Sequence, residues 1–345
     1  MPITEQQVRD VLQQIHFPGY SRDIVSFGFV QSIAVRNGSN IEVALQINSR
    51  DPAVAGQLQR KVETSLRDLP CVGHVEIRLS APSPAPPPGV PTPQRIEGVG
   101  RVIAVGSGKG GVGKSTVAVN LACALHQQGL RVGLLDADIY GPTIPKMLGT
   151  LDEPTVVNEQ IVPVEKYGLR LMSMALLLDP TQAVIWRGPM IMKALQQFCH
   201  DVRWGALDVL LVDLPPGTGD AQISLSQLLA LDGGVIVTTP QEVAMEVVRR
   251  GLTMFEKVNV RILGLVENMS YYLCPHCGQR DEIFGHNTTR REAERLGVAF
   301  LGEIPLNSEI RACGDRGEPV VLAQPGSATA LAFRRCAETV WKQLS

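Results

Sequence analysis

A glycine-rich loop, set between an apolar run and a helical pattern, restricts the possible folds of this chain more than any other feature. The run Val102–Val105 leads into the loop, and a continuous helical pattern follows it. Glycine allows the backbone to curl with its N–H groups pointing inward, and the next helix adds the positive end of its dipole. The predicted phosphate cradle consists of Gly108, Lys109, Gly110, Gly111, Val112, Gly113, Lys114, Ser115 and Thr116.

Two side chains of the loop and two acidic residues elsewhere complete a predicted ATP site. We expect Lys114 to reach the terminal phosphates and the Ser115 hydroxyl to ligate Mg²⁺. Phosphoryl transfer also requires carboxylates at the C-terminal ends of neighbouring strands. Asp138 follows one apolar run and Asp213 ends another, so both meet this requirement. The predicted cofactors of this site are ATP and Mg²⁺.

Apolar runs alternate with helical patterns throughout residues 98–345. Runs that are apolar on both faces are typical of a parallel sheet covered by helices. We therefore predict an α/β fold of the P-loop NTPase type, with a mostly parallel sheet flanked by helices. The predicted strands are Arg101–Val105, Arg131–Asp136, Val209–Asp213, Gly234–Thr238 and Ile262–Glu267.

A proline-rich segment, APSPAPPPGVPTPQ from Ala81 to Gln94, separates this region from a smaller one. Because proline lacks an N–H donor and favours extended structure, the segment is predicted to be a linker, with a proline-rich ligand for another domain as the alternative. The predicted division is a small α/β domain over residues 1–80, a linker over 81–97 and an ATPase domain over 98–345. In the small domain we predict helices at Thr4–His16 and Pro52–Leu69 and strands at Ile24–Val35, Ile41–Ile47 and Val75–Leu79.

The charge balance argues against a broad class of partners. Lysine and arginine number 32, aspartate and glutamate 34, and the net charge is −2. The chain thus has no overall basic field that would hold nucleic acid or an anionic membrane. The sequence also contains no apolar span of transmembrane length and no basic, apolar leader. We expect a cytoplasmic protein that binds neither nucleic acid nor membrane.

Cys274 and Cys277 are the closely spaced pair among seven cysteines. Two thiolates at this spacing can bind one metal ion or one cluster, but stable sites use four ligands. A two-fold symmetric homodimer would supply the other two thiolates, which favours a [4Fe-4S] cluster bridging two subunits. Zinc in the same four thiolates fits the ligand chemistry equally well, and a thioredoxin-like dithiol is a third reading. The remaining cysteines are predicted to be packing residues, and His276 to face solvent.

Lys109 adds a second lysine to the loop, and KGGVGKST resembles the deviant Walker A sequence of the MinD, ParA and nitrogenase-iron-protein superfamily. The resemblance implies a nucleotide-sandwich homodimer in which Lys109 reaches the phosphates of the partner. It also implies that Asp138 and Asp213 are the switch carboxylates that assist hydrolysis. A surface lysine without this role is the alternative reading of Lys109.

Four further motifs narrow the resemblance to the Mrp/ApbC/Nbp35 family of iron–sulfur cluster carrier ATPases. The resemblance implies that a [4Fe-4S] cluster is assembled on a dimer, with cluster scaffold proteins and apo-proteins as partners and ATP governing the exchange. It also implies that Asn268 recognises adenine and that the Pro305 loop flanks the base. The motifs are WRGPM (Trp186–Met190), VDLPPGTGD (Val212–Asp220), ENMSYYLCPHCG (Glu267–Gly278) and LGEIPLNSEIR (Leu301–Arg311).

Residues 1–80 resemble the MIP18-like (DUF59) domain, although Gln46–Pro52 lacks the cysteine that this domain commonly carries after its second strand. Two other functions are compatible with the loop alone. One is a ParA/MinD-type positioning ATPase, which leaves the cysteine pair unexplained. The other is a reductase resembling the nitrogenase iron protein, whose cysteines are widely separated in sequence, unlike this pair.

Overall fold

A computed structural model of the chain describes residues 3–15, 23–25, 29–36, 39–46, 52–69, 72–80, 93–139, 141–177, 194–199, 201–217, 219–274, 276–285 and 287–344. The chain divides into two compact units, residues 1–90 and 91–345, and each unit has its own hydrophobic core. Residues 81–92 of the predicted linker, Cys71 and the motif Trp186–Met190 lie outside the described residues. Gln94 and Ile96, which the sequence assigned to the linker, belong to the second unit. The Gln94 backbone hydrogen-bonds to the backbone of Leu228 and Ala230, and the Ile96 side chain is buried.

In the residues that the structure describes, the first unit is a three-stranded sheet with two helices. Thr4 caps the first helix in a capping box with Gln7, as the sequence predicts for its start. The predicted strand at Ile24–Val35 is too long, because Ile24 lies in a turn and the strand begins at Val30; Ile24 is nonetheless buried in the core, which explains its apolar character. The elements are α1 (Glu5–Leu12), β1 (Val30–Arg36), β2 (Asn40–Gln46), α2 (Pro52–Arg67) and β3 (Val75–Ser80). β2 lies in the centre, antiparallel to β1 and parallel to β3.

The second unit contains the glycine-rich loop and the cysteine pair. Its first half comprises β4 (Val99–Gly106), α3 (Lys114–Gln127), β5 (Val132–Asp136), α4 (Ile144–Met147), β6 (Thr155–Val157), β7 (Gln160–Val162), β8 (Val164–Lys166), β9 (Leu169–Ser173), a short 3-10 turn (Met174–Leu176) and α5 (helical residues 194–199). Its second half comprises β10 (Leu207–Asp213), α6 (Asp220–Leu228), β11 (Gly233–Thr238), α7 (Glu242–Lys257), β12 (Ile262–Glu267), β13 (Tyr272–Leu273), β14 (Arg280–Asp281), α8 (Thr288–Leu296), β15 (Phe300–Glu303), α9 (Ser308–Arg316), α10 (Val320–Ala323) and α11 (Ala328–Leu344). Among these, no helix combines the length and apolarity that crossing a bilayer requires.

Eight strands form one sheet in the order β15-β12-β11-β4-β10-β5-β9-β8, and every pairing is parallel except that of β8 with β9. Every residue of β5 and β11 is buried, as strands covered on both faces require. The predicted α/β P-loop fold and its five predicted strands are therefore confirmed.

Three strands of the large sheet escaped prediction. β8 and β15 are sheet edges of three and four residues, too short to give a periodic signal. β9 is interior, but Arg170 interrupts its apolar run. β9 and β15 pair with β5 and β12, which are distant in sequence, whereas β8 pairs with β9, the next strand along the chain.

Leu171→Ala tests whether β9 is part of the core. The Leu171 side chain is fully buried, so its truncation should lower the free energy of unfolding by about 2–5 kcal/mol. Val156→Ala, at a side chain that is 68% exposed, is the matched control and should change it by less than about 0.5 kcal/mol. All three tryptophans lie in the second unit, so urea unfolding followed by tryptophan fluorescence measures this unit. Equal effects of the two substitutions would contradict the placement of β9.

Candidate functional site

The glycine-rich loop connects the end of β4 to the first residue of α3. Gly111 and Gly113 both have φ of +79°, a conformation that favours glycine. A Cβ atom on Gly113 would also lie 2.3 Å from the Asn268 amide nitrogen, whereas Cβ atoms on Gly110 and Gly111 would meet nothing within 4 Å. The loop is thus packed tightly on its inner side and open on its outer side, as a phosphate cradle requires.

Lys114, Ser115 and the two predicted carboxylates meet beside this loop. The Lys114 Nζ atom lies 2.7 Å from Asp213 Oδ1 and 3.7 Å from Asp138 Oδ2. The Ser115 hydroxyl donates a hydrogen bond to Asp213 Oδ2 at 2.6 Å. The contacts form because β5 and β10 are adjacent parallel strands, which brings the ends of both to the loop. The structure therefore brings together the four residues that the sequence nominated.

The chemistry of this group fits magnesium. A hydroxyl and carboxylates are oxygen ligands that Mg²⁺ prefers, and here the carboxylates contact the two residues that follow the loop's last glycine. The Asp213 side chain is completely buried, and burial raises its pKa while the Lys114 ammonium opposes the rise. A divalent cation would add a second positive charge next to this carboxylate and favour its ionised form.

Asp136 is a part of the site that the sequence did not single out. Its carboxylate accepts hydrogen bonds from the backbone N–H groups of Asp138 and Ile144, at 3.2 and 3.3 Å, and from the Ser173 hydroxyl at 3.1 Å. It therefore fixes both ends of the loop that carries Asp138. Burial, and secondly the charge of Asp213, raise the pKa of Asp136 to about 7. The only signal in the sequence was a second aspartate two residues before Asp138.

Lys109 contacts its own chain. Its Nζ atom donates a hydrogen bond to Gln241 Oε1 at 3.1 Å, and the Thr239 hydroxyl donates to the same oxygen. The Ser107 hydroxyl supports the turn by donating to the Lys109 carbonyl. The Lys109 side chain is half-buried, and Gln241 of the same chain accepts its hydrogen bond.

A cavity of about 350 Å³ adjoins the loop at Gly113. Thr116, Asn268 and Pro305 line it, so the two residues predicted to contact the base do lie together. The Asn268 amide nitrogen donates a hydrogen bond to the Val112 carbonyl at 2.8 Å. Asn268 thus holds the phosphate loop against the wall of the cavity, and its recognition of adenine stays a prediction.

The cysteine pair lies at the tip of a hairpin made by β13 and β14. The Gly278 N–H donates to the Cys274 carbonyl at 2.8 Å, and the Cys274 N–H to the Gln279 carbonyl at 3.0 Å. Cys274 is half-buried, and Cys277 and His276 are exposed. Hydrogen bonds from the His276 and Cys277 backbone lower the pKa of Cys274, which favours the thiolate that binds metals.

The hairpin of one chain offers two metal ligands, the thiolates of Cys274 and Cys277. Within the described part of the chain, no group of three or more histidine, cysteine or acidic side chains is placed to hold a metal ion. The other described cysteines are buried, and burial raises the pKa of three of them to about 12; these are Cys123, Cys199 and Cys336. They have the packing role that the sequence predicted for them.

The hairpin and the cavity share a wall. The segment from Asn268 to Cys274 runs from one to the other, and the Leu306 N–H donates to the Tyr271 carbonyl at 2.7 Å. Leu306 follows Pro305 and lines the cavity. Glu267 is buried at the start of this segment, where it accepts hydrogen bonds from the Ser270 hydroxyl and the Thr289 N–H. Two sequence motifs, Glu267–Gly278 and Leu301–Arg311, contain all of these residues except Thr289, but they did not show the connection to the cavity.

Comparison with known families agrees with this geometry. Residues 98–341 match the family described as NUBPL iron-transfer P-loop NTPase, and residues 5–77 match the one described as iron-sulfur cluster assembly protein. The chain belongs to the NUBPL iron-transfer P-loop NTPase family. The predicted resemblances of both regions are therefore confirmed.

Relatives in this family are similar over nearly the whole chain. The iron-sulfur cluster carrier protein of Helicobacter pylori is 40% identical over 97% of this chain and 92% of its own length. That of Synechocystis is 41% identical over 99% and 98%. The iron-sulfur cluster transfer protein NUBPL of Mus musculus is 48% identical over 74% of this chain and 81% of its own length.

Two solved structures share the fold of the second unit. A nucleotide-binding protein from Archaeoglobus fulgidus, in complex with ADP, is 39% identical and superposes with a TM-score of 0.61 over 69% of this chain and 93% of its own. The cell division ATPase MinD of Pyrococcus furiosus is 25% identical, with a TM-score of 0.54 over 70% and 99%.

Asp136→Asn tests the raised pKa of this carboxyl. Between about pH 4 and pH 7 the folded chain holds a proton on Asp136 that the unfolded chain releases. The wild-type free energy of unfolding therefore falls with rising pH, by up to about 1.4 kcal/mol per pH unit from this group. The amide variant lacks this loss, so its stability relative to wild type should increase up to about pH 7 and then level off.

Urea unfolding without nucleotide or Mg²⁺, followed by tryptophan fluorescence, measures this difference. Asp208→Asn is the control, because a hydrogen bond from exposed Arg131 lowers the pKa of Asp208 to about 2. Its stability difference from wild type should stay constant across the same pH range. A constant difference for Asp136→Asn as well would contradict the raised pKa.

Proposed function

We propose that this protein carries a [4Fe-4S] cluster as a homodimer and transfers it to apo-proteins, with ATP binding and hydrolysis governing the exchange. The observation that carries the proposal is the exposed hairpin of Cys274 and Cys277, which offers two thiolates per chain beside a nucleotide cavity. The names of the relatives, which describe cluster carriers and a cluster transfer protein, support this reading.

The count of ligands is the reason for a dimer. A cluster of this type is bound by four thiolates, and the hairpin supplies two. A two-fold axis next to the hairpin would bring two copies of Cys274 and Cys277 together. Because Cys277 is exposed and both ligands lie on a short turn, an acceptor thiolate can approach the cluster without unfolding of the hairpin.

The nucleotide site has the parts for ATP hydrolysis. Lys114 would bind the terminal phosphates, and Ser115 and Asp213 would hold Mg²⁺, which supplies positive charge to the phosphate oxygens when bound. Asp138 lies where it can orient the attacking water. Lys109 would leave Gln241 and reach the phosphates of the partner subunit. We infer slow hydrolysis, since the transfer of a cluster needs one cycle of opening and closing for each delivery.

The other parts of the proposal concern location and partners. We place the protein in the cytoplasm, where it would receive its cluster from a scaffold protein and deliver it to apo iron–sulfur proteins. Residues 1–80 would act as the small domain and residues 98–345 as the ATPase domain that carries the cluster. Asn268 and Pro305 would hold the adenine within the cavity that they line.

Cys274→Ala and Cys277→Ala test the cluster site. After anaerobic reconstitution with iron and sulfide, each variant should lose the visible absorption of the cluster and its transfer to an apo-protein. Each variant chain keeps one of the two cysteines, so a dimer offers two thiolates where the cluster needs four. His276→Ala, at an exposed residue in the same turn, is the control and should keep both properties. Retained transfer by Cys277→Ala would contradict the proposal, and zinc in place of iron in the wild-type protein would reject the choice of metal.

Lys109→Ala tests the nucleotide-sandwich dimer. The cluster-free variant should bind ATP but lose ATP-dependent association, because the cation that would reach the partner's phosphates is absent. Gln241→Ala is the control, since it removes the present acceptor of Lys109 and leaves the lysine free to move. Sedimentation velocity with and without ATP and Mg²⁺ measures the association. ATP-dependent dimers of Lys109→Ala, equal to wild type, would contradict the role of this lysine.

A further inference from the structure

A groove follows the outer edge of β15, at the end of the eight-stranded sheet. β15 pairs with β12 on one side, and no strand of the described residues pairs with its other side. The groove encloses about 430 Å³ between β15, α11 and the first turn of α8. We call it the β15 groove; its walls include Tyr271, Arg290, Phe300, Glu303, Leu331 and Arg335.

The β15 groove combines positive charge with apolar surface. Arg290 and Arg335 are exposed, and neither forms an ion pair with any described residue. The Arg290 guanidinium stacks on the Phe300 ring, 4.3 Å from the ring centroid. Leu331 is 40% exposed at the other wall and adds apolar surface to the groove. A ligand that fits these walls has carboxylates for the two arginines and an apolar side chain between them.

The acidic residue of the groove does not neutralise these arginines. The Glu303 carboxylate is engaged by Arg280, at 3.2 and 3.4 Å. Arg280 belongs to the cysteine hairpin, and its guanidinium also lies 3.8 Å from the centroid of the Tyr271 ring. Tyr271 and Glu303 are therefore shared between the base of the hairpin and the wall of the groove. A molecule bound in the β15 groove lies directly beside the hairpin that holds Cys274.

We propose that the β15 groove docks an extended acidic segment of the apo-protein that receives the cluster. The segment would lie along the free edge of β15, with its carboxylates on Arg290 and Arg335 and an apolar side chain between Phe300 and Leu331. This inference rests on the proposed function, since it supplies the recognition step that precedes transfer. Docking here gives specificity to an exposed cluster, because an acceptor held beside the hairpin delivers its thiolates at high local concentration.

The charge of the groove favours an acceptor over a second copy of this chain. Steering between an arginine pair and an acidic segment raises the rate of encounter and weakens with salt. In a two-fold self-interface centred on the groove, the arginines of both copies would face each other, and the Glu303 carboxylate that lines the groove is already paired with Arg280. The experiment therefore includes self-association as one of its readouts.

The test compares Arg290→Glu/Arg335→Glu with Arg203→Glu/Arg261→Glu in the full-length chain. Arg203 and Arg261 are also exposed, and they precede β10 and β12, at the end of the sheet opposite to the hairpin. The control thus makes the same change of charge far from the groove. An apo [4Fe-4S] ferredoxin serves as the probe acceptor.

Transfer from the reconstituted protein to the ferredoxin is followed by circular dichroism at low and at physiological salt. The groove variant should transfer at least about tenfold more slowly at low salt, with a smaller salt dependence than wild type, and the control within about twofold of wild type. Release of iron to a small chelator should be equal in all three proteins, since it needs no docking. Equal transfer by the groove variant and wild type would overturn the proposal.

Binding of the apo-ferredoxin to the cluster-free chain separates this proposal from the proposed function. Fluorescence anisotropy should show about tenfold weaker binding by the groove variant and unchanged binding by the control. If wild type binds the ferredoxin through the groove but transfers no cluster, the proposed function fails and the docking surface stands. Equal binding of the ferredoxin by the groove variant and wild type overturns the docking surface. The same holds if the groove variant loses self-association but still binds the ferredoxin.

Discussion

The contact between Lys114 and Asp213 is the constraint on which the rest of the site depends. Burying this ion pair costs solvation, and the cost is tolerable only because a second oxygen of Asp213 accepts from Ser115 and the lysine also faces Asp138. These contacts fix the first turn of α3 and the ends of two strands as one unit. The group therefore concentrates one ammonium, one hydroxyl and two carboxylates at this end of the sheet.

From this group the chain leads continuously to the cysteine hairpin. Asn268 holds the phosphate loop through Val112, and the next residues form a wall of the cavity before the hairpin begins at Tyr272. The hydrogen bond between Leu306 and the Tyr271 carbonyl ties the other wall to the same segment. A ligand that fills the cavity would therefore contact both of the segments that support the hairpin.

Motifs with a local mechanism were predicted from the sequence, and features fixed by tertiary contacts were not. The proximity of Lys114, Ser115, Asp138 and Asp213 was predictable because each residue stands at a known place relative to a strand or helix. Asp136 was missed because its role comes from Ser173 and Ile144, which no spacing rule connects to it. The edge strand β15 was missed because its four residues, one of them glycine, gain their conformation by pairing with β12. The number of thiolates at the hairpin could be predicted from the sequence, but the position of the hairpin beside the cavity could not.

A single cluster shared by two chains has a defined stoichiometry, which can be measured directly. Native mass spectrometry of the anaerobically reconstituted protein resolves chain number and cluster content in the same spectrum. We expect a dimer whose excess mass equals one [4Fe-4S] cluster, and apo monomers when the cluster is removed in the absence of nucleotide. A monomer that retains a complete cluster, or a dimer whose excess mass is that of one zinc ion, would contradict this expectation.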